Sequence, residues 1–191
     1  NLCDHLEQDA KFTQSVNWIK FDKDRKLIGN NFDGQGFVSG FLGKNFLIKN
    51  KKVCIFGAGG AAVSIACSIV REDIKSLKII NRNLVKANNL LKKIKTISKD
   101  LKVEVHNSED NYSLSNIDII INATSLGLNK KDKLPFDVTK SSFNSVISDI
   151  IMEPEETALL ERAKKLGRSV HYGKYMIESQ IDLVGDFLDL W

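Results

Sequence analysis

Residues 53–62 read VCIFGAGGAA, an uncharged apolar run that passes directly into a cluster of glycines. Four consecutive apolar residues are typical of a strand covered on both faces, as in a parallel sheet. The glycines fit the pattern G-x-G-x-x-A, and a helical segment at 61–71 follows them. This order predicts a strand, a tight turn and a helix, the opening unit of a dinucleotide-binding fold. A tight turn that holds no ligand is the alternative.

Short apolar runs and helical periods alternate along the rest of the chain. Further strands are predicted at 77–80, 102–105, 117–122, 145–151 and 168–172. A helix is predicted after Asn83, a possible cap, with Leu84, Ala87, Leu91 and Ile94 on its apolar face. Another is predicted after Pro154, and a last amphipathic helix at 176–188. Because parallel neighbours need crossover connections, this alternation predicts an α/β fold with a Rossmann-like, doubly wound parallel sheet.

The first fifty residues have a different pattern. Two strands are predicted at 15–21 and 26–29, joined by the polar turn DKDR, and a helix at 36–48 leads into the parallel part. This opening segment is too short for a domain, so we interpret it as the remnant of an N-terminal α/β substrate domain. The expected regions are 1–33 from the substrate domain, 34–172 as the nucleotide-binding domain, and 173–191 as a helix that returns to the substrate domain.

Composition limits the classes of function. The chain has 191 residues, 42% hydrophobic and 27% charged, which suits a soluble globular protein. Its net charge of +4 comes from scattered lysines, and the densest groups, at 49–52 and 91–99, predict solvated faces rather than a nucleic-acid surface. The uncharged run 53–70 contains three glycines, which favours a strand and helix over a membrane span. Three cysteines and three histidines without metal-ligand spacing predict no metal site and a reducing, cytoplasmic environment.

The segment after the second parallel strand bears on the choice of dinucleotide. An NAD site usually carries Asp or Glu about twenty residues after the glycines, to bind the ribose 2′-hydroxyl. Here Asn81, Arg82 and Asn83 stand at that position. A guanidinium beside two amides can bind a 2′-phosphate, which a carboxylate would repel, so NADP is favoured over NAD. The alternative for Arg82 is an ordinary surface arginine.

Two further segments are placed to line a ligand site. Residues 122–128, NATSLGL, follow a predicted strand, and ligands of open α/β sheets bind at the carboxyl ends of strands. They are predicted to line the nicotinamide side, although an ordinary loop is the alternative. Residues 29–37, GNNFDGQGF, carry a lone carboxylate at Asp33, which is either functional or part of an Asp-Gly turn.

Seven segments, in this order along the chain, resemble the shikimate dehydrogenase family. SVNW is similar to the family's A-V-N-T, and GNNFDGQGF to its G-x-N-T-D-x-x-G. GAGGAA, NRN and NATSLGL resemble its cofactor loop, its NADP-selecting N-R-T and its N-A-T-S-x-G-M. SDIIMEPEETALLERAKKLG and GKYMIESQ are similar to D-x-x-Y-x-P-x-x-T-x-L-L-x-x-A-x-x-x-G and G-x-x-M-L-x-x-Q. The resemblance covers nearly the whole chain.

The resemblance implies a reversible hydride transfer between NADPH and 3-dehydroshikimate, in the cytoplasmic chorismate pathway to aromatic amino acids. It implies Asp33 as the aspartate of a lysine–aspartate pair that moves the proton, and Asn17 and Gln180 as substrate contacts. The cofactor residues that it implies are Gly57, Ala58, Gly59, Gly60, Ala61, Asn81, Arg82, Asn83, Lys86, Thr124, Ser125, Leu126, Ile150, Gly173 and Met176.

The lysine of that pair lies, in the family, in an N-terminal segment that this chain does not contain. The chain opens on Asn1 rather than a methionine, so we expect it to be a piece of a longer protein, inactive by itself. Lys44 and Lys174 are predicted to be surface charges rather than substitutes for that lysine.

Two departures from the family's pattern leave the substrate open. Phe32 replaces the threonine before the aspartate, and Met152 replaces the tyrosine of D-x-x-Y. Each change removes a hydroxyl near the substrate, so quinate or another cyclic polyhydroxy acid is an alternative to shikimate. A non-catalytic module that binds NADP or a ligand, and a bare cofactor-domain fragment, are alternatives to an enzyme. The expected partner is a small molecule, without nucleic acid or membrane, and the expected state is a monomer or homodimer.

Overall fold

The computed structural model describes residues 2–191, and its first element is a small mixed sheet. The strand order is β1-β3-β2, in which β1 is parallel and β2 antiparallel to β3. The strands are β1 (His5–Leu6), β2 (Trp18–Phe21) and β3 (Leu27–Asn30). The two strands predicted in this region are confirmed. Strand β1 and the helix α1 (Gln8–Thr13) were not predicted, because elements this short carry no readable periodicity.

The second sheet has six strands, and every neighbouring pair is parallel. Its strands are β4 (Lys52–Phe56), β5 (Ser76–Ile80), β6 (Lys102–His106), β7 (Ile119–Asn122), β8 (Val146–Asp149) and β9 (Ser169–His171). They lie in the order β6-β5-β4-β7-β8-β9. The chain therefore reverses its direction of travel across the sheet at β4, whose neighbours are β5 and β7. This confirms the predicted doubly wound sheet and places the switch point, where such folds bind ligands, beside the glycine turn.

Six further helices occur in residues 2–191. They are α2 (Asp33–Gly43), α3 (Gly60–Val70), α4 (Leu84–Ile97), α5 (Ala158–Lys165), α6 (Lys174–Glu178) and α7 (Ile181–Phe187), with a 3₁₀ turn at Val138–Lys140. The Asn83 side chain caps α4 as predicted, because it accepts a hydrogen bond from the Lys86 N–H at 3.1 Å. Helix α5 begins after Thr157, whose hydroxyl accepts from the Leu160 N–H, rather than directly after Pro154.

Three helix predictions were partly wrong. The helix expected at 36–48 starts earlier, at Asp33, and ends at Gly43, just before Asn45 takes a left-handed backbone conformation with φ 62°. The single terminal helix is two helices, and the break between them leaves Gln180 buried. Leu84, expected on the apolar face of α4, is 42% exposed; Ala87, Leu90 and Ile94 form that face.

Both faces of the parallel sheet are covered by apolar layers. Val53 and Ile55 point into a layer shared with α2, α3 and α4, whereas Cys54 and Phe56 point into a layer shared with α5 and Phe136. The strand alternates between two buried environments, which explains its uninterrupted apolar sequence. None of the helices found between residues 2 and 191 is both long enough and apolar enough to cross a membrane.

Candidate active site

The turn after β4 is shaped by glycine. Gly57 has a φ of +116°, and a side chain there would overlap the Ala123 carbonyl, so only glycine fits. At Gly59 the space that a Cβ atom would occupy is open. Within residues 2–191 no side chain caps α3, which begins at Gly60, so the N–H groups of its first turn remain available to an anion. The turn can therefore hold a phosphate group.

This turn forms one wall of a cleft of about 400 Å³ at the carboxyl ends of β4, β5 and β7. The cleft is lined by Phe56, Gly57, Ala58, Gly59, Ile80, Asn81, Arg82, Ser108, Ala123, Thr124, Ser125, Leu126 and Pro135. Eight of the cofactor residues predicted from the sequence are among them, and Gly60 and Ala61 follow directly in α3. Ser108 was not predicted, since it belongs to no motif and reaches the cleft from the loop after β6.

Backbone and amide hydrogen bonds fix the end of the cleft at Arg82. The Asn81 Nδ2 atom donates to the Asn83 carbonyl at 2.8 Å, and the Asn107 Nδ2 atom donates to the Arg82 carbonyl at 3.1 Å. The Arg82 side chain is exposed and forms no salt bridge with any acid in residues 2–191. A guanidinium without an acidic partner, with the exposed Lys86 one helical turn away, suits an added phosphate.

The opposite wall of the cleft is a loop held by the last residue of β7. The Asn122 Oδ1 atom accepts from the N–H and the hydroxyl of Thr124, at 3.1 and 2.7 Å. The Thr124 hydroxyl oxygen accepts in turn from the Leu126 N–H at 3.1 Å. Gly127, with φ +116°, closes the turn. The loop that contains Thr124, Ser125 and Leu126 thus has a defined shape before any ligand binds.

A buried carboxylate that was not predicted as a site residue lies behind this loop. Asp149, at the end of β8, is 0% exposed. Its Oδ1 atom accepts from Asn122 Nδ2 and from the Ile151 N–H, each at 3.1 Å, and its Oδ2 atom accepts from the Thr157 hydroxyl at 2.9 Å. Burial raises the pKa of the Asp149 carboxyl, and these three donors oppose that shift. The available signal was the match of Asp149 to the aspartate that opens the family's D-x-x-Y segment.

Asp33, the predicted catalytic residue, begins α2 and is partly buried. The Asn17 Nδ2 atom donates to its Oδ1 atom at 2.7 Å, while the Asn17 Oδ1 atom accepts from the Phe32 N–H at 3.1 Å. Burial raises the pKa of the Asp33 carboxyl, and the amides of Asn17 and Gln180 act in the opposite direction. No salt bridge to Asp33 occurs within the described part of the chain. The carboxyl therefore accepts from the neutral Asn17 amide and has no cationic partner in residues 2–191.

Gln180 completes a cluster with Asp33 and Asn17. The residue is 2% exposed, and neither polar atom of its amide has a hydrogen-bond partner in residues 2–191. A side chain at Gly36 would overlap the Gln180 side chain, so the amide is held against the start of α2. Buried amides are normally paired, and an unpaired one beside a carboxylate indicates a place for a polar ligand.

Hydrogen bonds through α3 connect this cluster to the glycine turn. The Ser64 hydroxyl donates to the Asn31 Oδ1 atom at 2.7 Å and accepts from the Gly34 N–H at 3.0 Å. Ser64 lies one turn into the helix that the glycine turn opens. The carboxylate cluster and the phosphate-binding turn therefore share one rigid element.

The remaining predicted site residues lie partly in the core and partly at the surface. Phe32 is 5% exposed, and its ring packs against Phe187 with centroids 5.6 Å apart. Met152 is 49% exposed. Gly173 lies so close to the Ile150 carbonyl that a side chain would overlap it, and Met176 is buried in the core.

Neither lysine considered in the sequence reaches Asp33. The Lys44 Nζ atom lies 4.0 Å from the centre of the Tyr175 ring, and the Lys174 Nζ atom donates to Glu155 at 2.7 Å. Residues 2–191 contain no group of three or more His, Cys, Asp or Glu side chains that could hold a metal ion.

Comparisons with known proteins agree with this architecture. The model of the shikimate / quinate 5-dehydrogenase family matches residues 42–132. A shikimate dehydrogenase (NADP(+)) of Pelagibacter ubique is 35% identical over 175 residues, which cover 92% of this chain and 62% of that protein. The ligand-free structure of 5-ketofructose reductase from Gluconobacter sp. strain CHM43 has a TM-score of 0.84 at 30% identity, covering 98% of this chain and 68% of the other.

A quinate dehydrogenase from Corynebacterium glutamicum, solved in complex with NAD, has a TM-score of 0.83 at 25% identity. The match covers 97% of this chain and 67% of the quinate dehydrogenase chain. The chain spans 62% of the length of the Pelagibacter relative.

Proposed function

The chain belongs to the shikimate dehydrogenase family, and from this premise we propose that its protein is an NADP-dependent oxidoreductase. The reaction is a reversible hydride transfer between NADPH and 3-dehydroshikimate, or a related cyclic polyhydroxy acid such as quinate. The observation that carries the proposal is the cluster of Asp33, Asn17 and Gln180, which is joined through Ser64 to a phosphate-binding turn. A role in cytoplasmic aromatic amino acid biosynthesis follows if the substrate is 3-dehydroshikimate.

The choice of NADP over NAD rests on the end of the cleft at Arg82. Relatives of this chain include a shikimate dehydrogenase named for NADP(+) and a quinate dehydrogenase solved with NAD, so the family alone does not decide the cofactor. The guanidinium of Arg82 has no acidic partner in residues 2–191, and Asn81 and Asn107 fix the backbone around it. These features favour a bound 2′-phosphate. NADPH, when bound, supplies the hydride.

Asp33 has the properties needed for proton transfer. As the substrate ketone is reduced, negative charge develops on its oxygen and must be neutralised by a proton. Burial raises the pKa of the Asp33 carboxyl above its usual range, and Asn17 fixes the orientation of the carboxyl. Because no lysine accompanies Asp33 in the described residues, we propose that a polypeptide of residues 1–191 alone lacks the second member of the proton-transfer pair and is inactive.

The polar and apolar walls of the site define the class of substrate. The Gln180 amide and the Asn17 amide can bind hydroxyl groups of a polyhydroxylated ring, since amides both donate and accept. Phe32 and Met152 offer no hydroxyl where the family has threonine and tyrosine. Relatives at about 30% identity include enzymes named for shikimate and for 5-ketofructose. The substrate is proposed as a class, a cyclic polyhydroxy acid: the amides account for the hydroxyl groups, and the acid group rests on the relatives named for shikimate.

A second candidate is a non-catalytic module that binds the dinucleotide or a ligand without turning it over. It is favoured by the apolar Phe32 and Met152 and by the lack of a cationic partner for Asp33 in residues 2–191. The retained carboxylate at Asp33 favours the enzyme.

The test is steady-state reduction of NADP⁺ by the full-length protein with shikimate and with quinate. Asp33→Asn is expected to lower kcat by roughly 10²- to 10⁴-fold with little change in KM, because it removes an acid–base group and keeps the shape. Asp24→Asn, in the exposed turn between β2 and β3, is the matched control. Full activity in Asp33→Asn would contradict the proposed role. Binding of NADPH and ligand without turnover in the wild type would favour the second candidate.

A further inference from the structure

The carboxylate of Asp149 is satisfied in an unusual way. It is fully buried, yet its three partners are the neutral side chains of Asn122 and Thr157 and the Ile151 N–H. No cationic side chain in residues 2–191 forms a salt bridge with it. A buried charge without a counter-charge is unfavourable for folding. The presence of Asp149 at this position indicates that its oxygen atoms are needed to hold neighbouring groups in place, which an apolar residue could not do.

That requirement lies in the two segments that Asp149 joins. Asn122 uses the same Nδ2 atom to reach the Leu126 carbonyl at 3.0 Å, so the carboxylate orients the amide that shapes the loop. A Cβ atom placed on Gly127 would lie 3.9 Å from the Asp149 Oδ2 atom, which shows that the loop folds directly over the carboxylate. On the other side, Thr157 donates to Asp149 and caps α5 with the same oxygen.

We propose that Asp149 is a positioning residue that, with Thr157 as its partner, fixes the loop of residues 124–126 against the cleft and thereby sets the affinity for the nicotinamide half of the bound dinucleotide. The identity of that ligand rests on the proposed function. Asp149 lines no part of the cleft itself and acts through Asn122. A loop that is ordered before binding loses less conformational entropy when the ligand arrives.

Conservative variants separate this role from general stability. Asp149→Asn replaces one acceptor oxygen by an NH₂ group, which cannot accept from any of the three donors. Thr157→Val removes the hydroxyl at nearly constant volume, and Thr157→Ser restores it. Asp118→Asn is the matched control, because the Asp118 Oδ2 atom accepts from the Lys52 N–H at 2.7 Å at the opposite end of the sheet.

The measurement is the dissociation constant for NADPH and for adenosine 2′,5′-bisphosphate, which carries the phosphates of the adenosine half but no nicotinamide. Asp149→Asn and Thr157→Val are expected to weaken NADPH binding by about tenfold, because each variant loses one or two of the buried hydrogen bonds that fix the loop. Binding of the bisphosphate is expected to change by less than about twofold, and Thr157→Ser and Asp118→Asn are expected to match the wild type. Equal weakening of both ligands, or no weakening of NADPH, would overturn the proposal.

A second readout needs no ligand. Amide hydrogen exchange at Thr124 and Leu126 is expected to be at least tenfold faster in Asp149→Asn and Thr157→Val than in the wild type. Unchanged exchange would overturn the positioning role even if NADPH does not bind. A wild type that binds neither NADPH nor the bisphosphate contradicts the proposed function instead, so the two failures are distinguishable. If Asp149→Asn does not fold, the pair Thr157→Val and Thr157→Ser carries the test.

Discussion

The Asn17 Nδ2 atom donates a hydrogen bond of 2.7 Å to the Asp33 Oδ1 atom, and the same amide accepts from the Phe32 N–H through its oxygen. One side chain thus holds both the carboxyl group and the backbone just before it. Asn17 stands immediately before β2, and Asp33 begins α2. The antiparallel pairing of β2 with β3 brings the two residues together, because the residue before one strand then meets the residues after the other.

Replacing Asn17 by alanine is expected to raise the pKa of the Asp33 carboxyl. The amide favours the ionised form by donating to it, so its loss leaves burial less opposed. The measurement is a pH titration of the Asp33 carboxyl carbon by NMR, with Asn144→Ala in an exposed turn as control. An unchanged or lower pKa in Asn17→Ala would show that the hydrogen bond does not form in solution.

Replacing Arg82 by glutamine is expected to weaken NADPH binding by roughly 10- to 100-fold and to leave NADH binding unchanged. The lost interaction is a charge-assisted contact with the 2′-phosphate, of about 1.5–3 kcal/mol, and NADH lacks that group. Fluorescence titration measures both constants, and Arg25→Gln in the exposed turn between β2 and β3 is the matched control. Equal effects on the two dinucleotides would contradict the assignment of Arg82 to the 2′-phosphate.

Replacing Gly36 by alanine is expected to destabilise the protein by roughly 1–3 kcal/mol, the usual range for overpacking. The new methyl group would lie 2.5 Å from the Met176 carbonyl oxygen and would overlap the Gln180 side chain. Gly43→Ala, at the end of the same helix, meets no atom within 4 Å and is expected to be neutral or stabilising. Urea unfolding compares the two. Equal stabilities would show that α2 is not packed against α6 at Gly36.

His171 is expected to make stability depend on pH between about 6.5 and 4. Burial lowers the pKa of its imidazole from 6.5 to about 4; the Lys44 charge acts in the same direction and the Gly40 backbone opposes it. The folded state therefore binds fewer protons than the unfolded state. The contribution of neutral His171 to the free energy of unfolding is fully present above pH 6.5 and is lost as the pH falls to about 4. The loss is about 3 kcal/mol.

The measurement for His171 is the free energy of unfolding in urea, compared between the wild type and His171→Gln across this range. Asp33 and Asp149, whose pKa values are raised, act in the opposite direction but cancel in the difference. His5→Gln, on the exposed edge strand, is the matched control. Parallel curves for wild type and His171→Gln would contradict the prediction.

The parallel sheet could be predicted because its signals are local. The apolar run at 53–56, the glycines that follow and the Asn83 cap are each complete within a few residues, and each was found where it was expected. The broken terminal helix was not predicted, because its apolar period continues without interruption across Gln180. Only the packing of that residue against Gly36 shows why the chain bends.

The family's motifs marked where the site lies but not what each residue does there. Asp149 and Thr157 belong to the motif at 148–167, yet their role could not be assigned from it, because that role depends on Asn122, which lies 27 residues before Asp149 in the sequence. Arg82 could be singled out from the absence of an acid beside it, but the hydrogen bond that Asn107 makes to its backbone depends on the pairing of β5 with β6. Long-range partners of this kind cannot be read from the periodicity of one sequence.

The most direct test of the central claim is calorimetric titration of NADPH and of NADH into the unaltered protein. The claim is that the glycine turn, Arg82 and the 124–126 loop form an NADP site that serves Asp33. It predicts that NADPH binds with one-to-one stoichiometry and at least tenfold more tightly than NADH. Failure of both dinucleotides to bind, or NADH binding as tightly as NADPH, would contradict it.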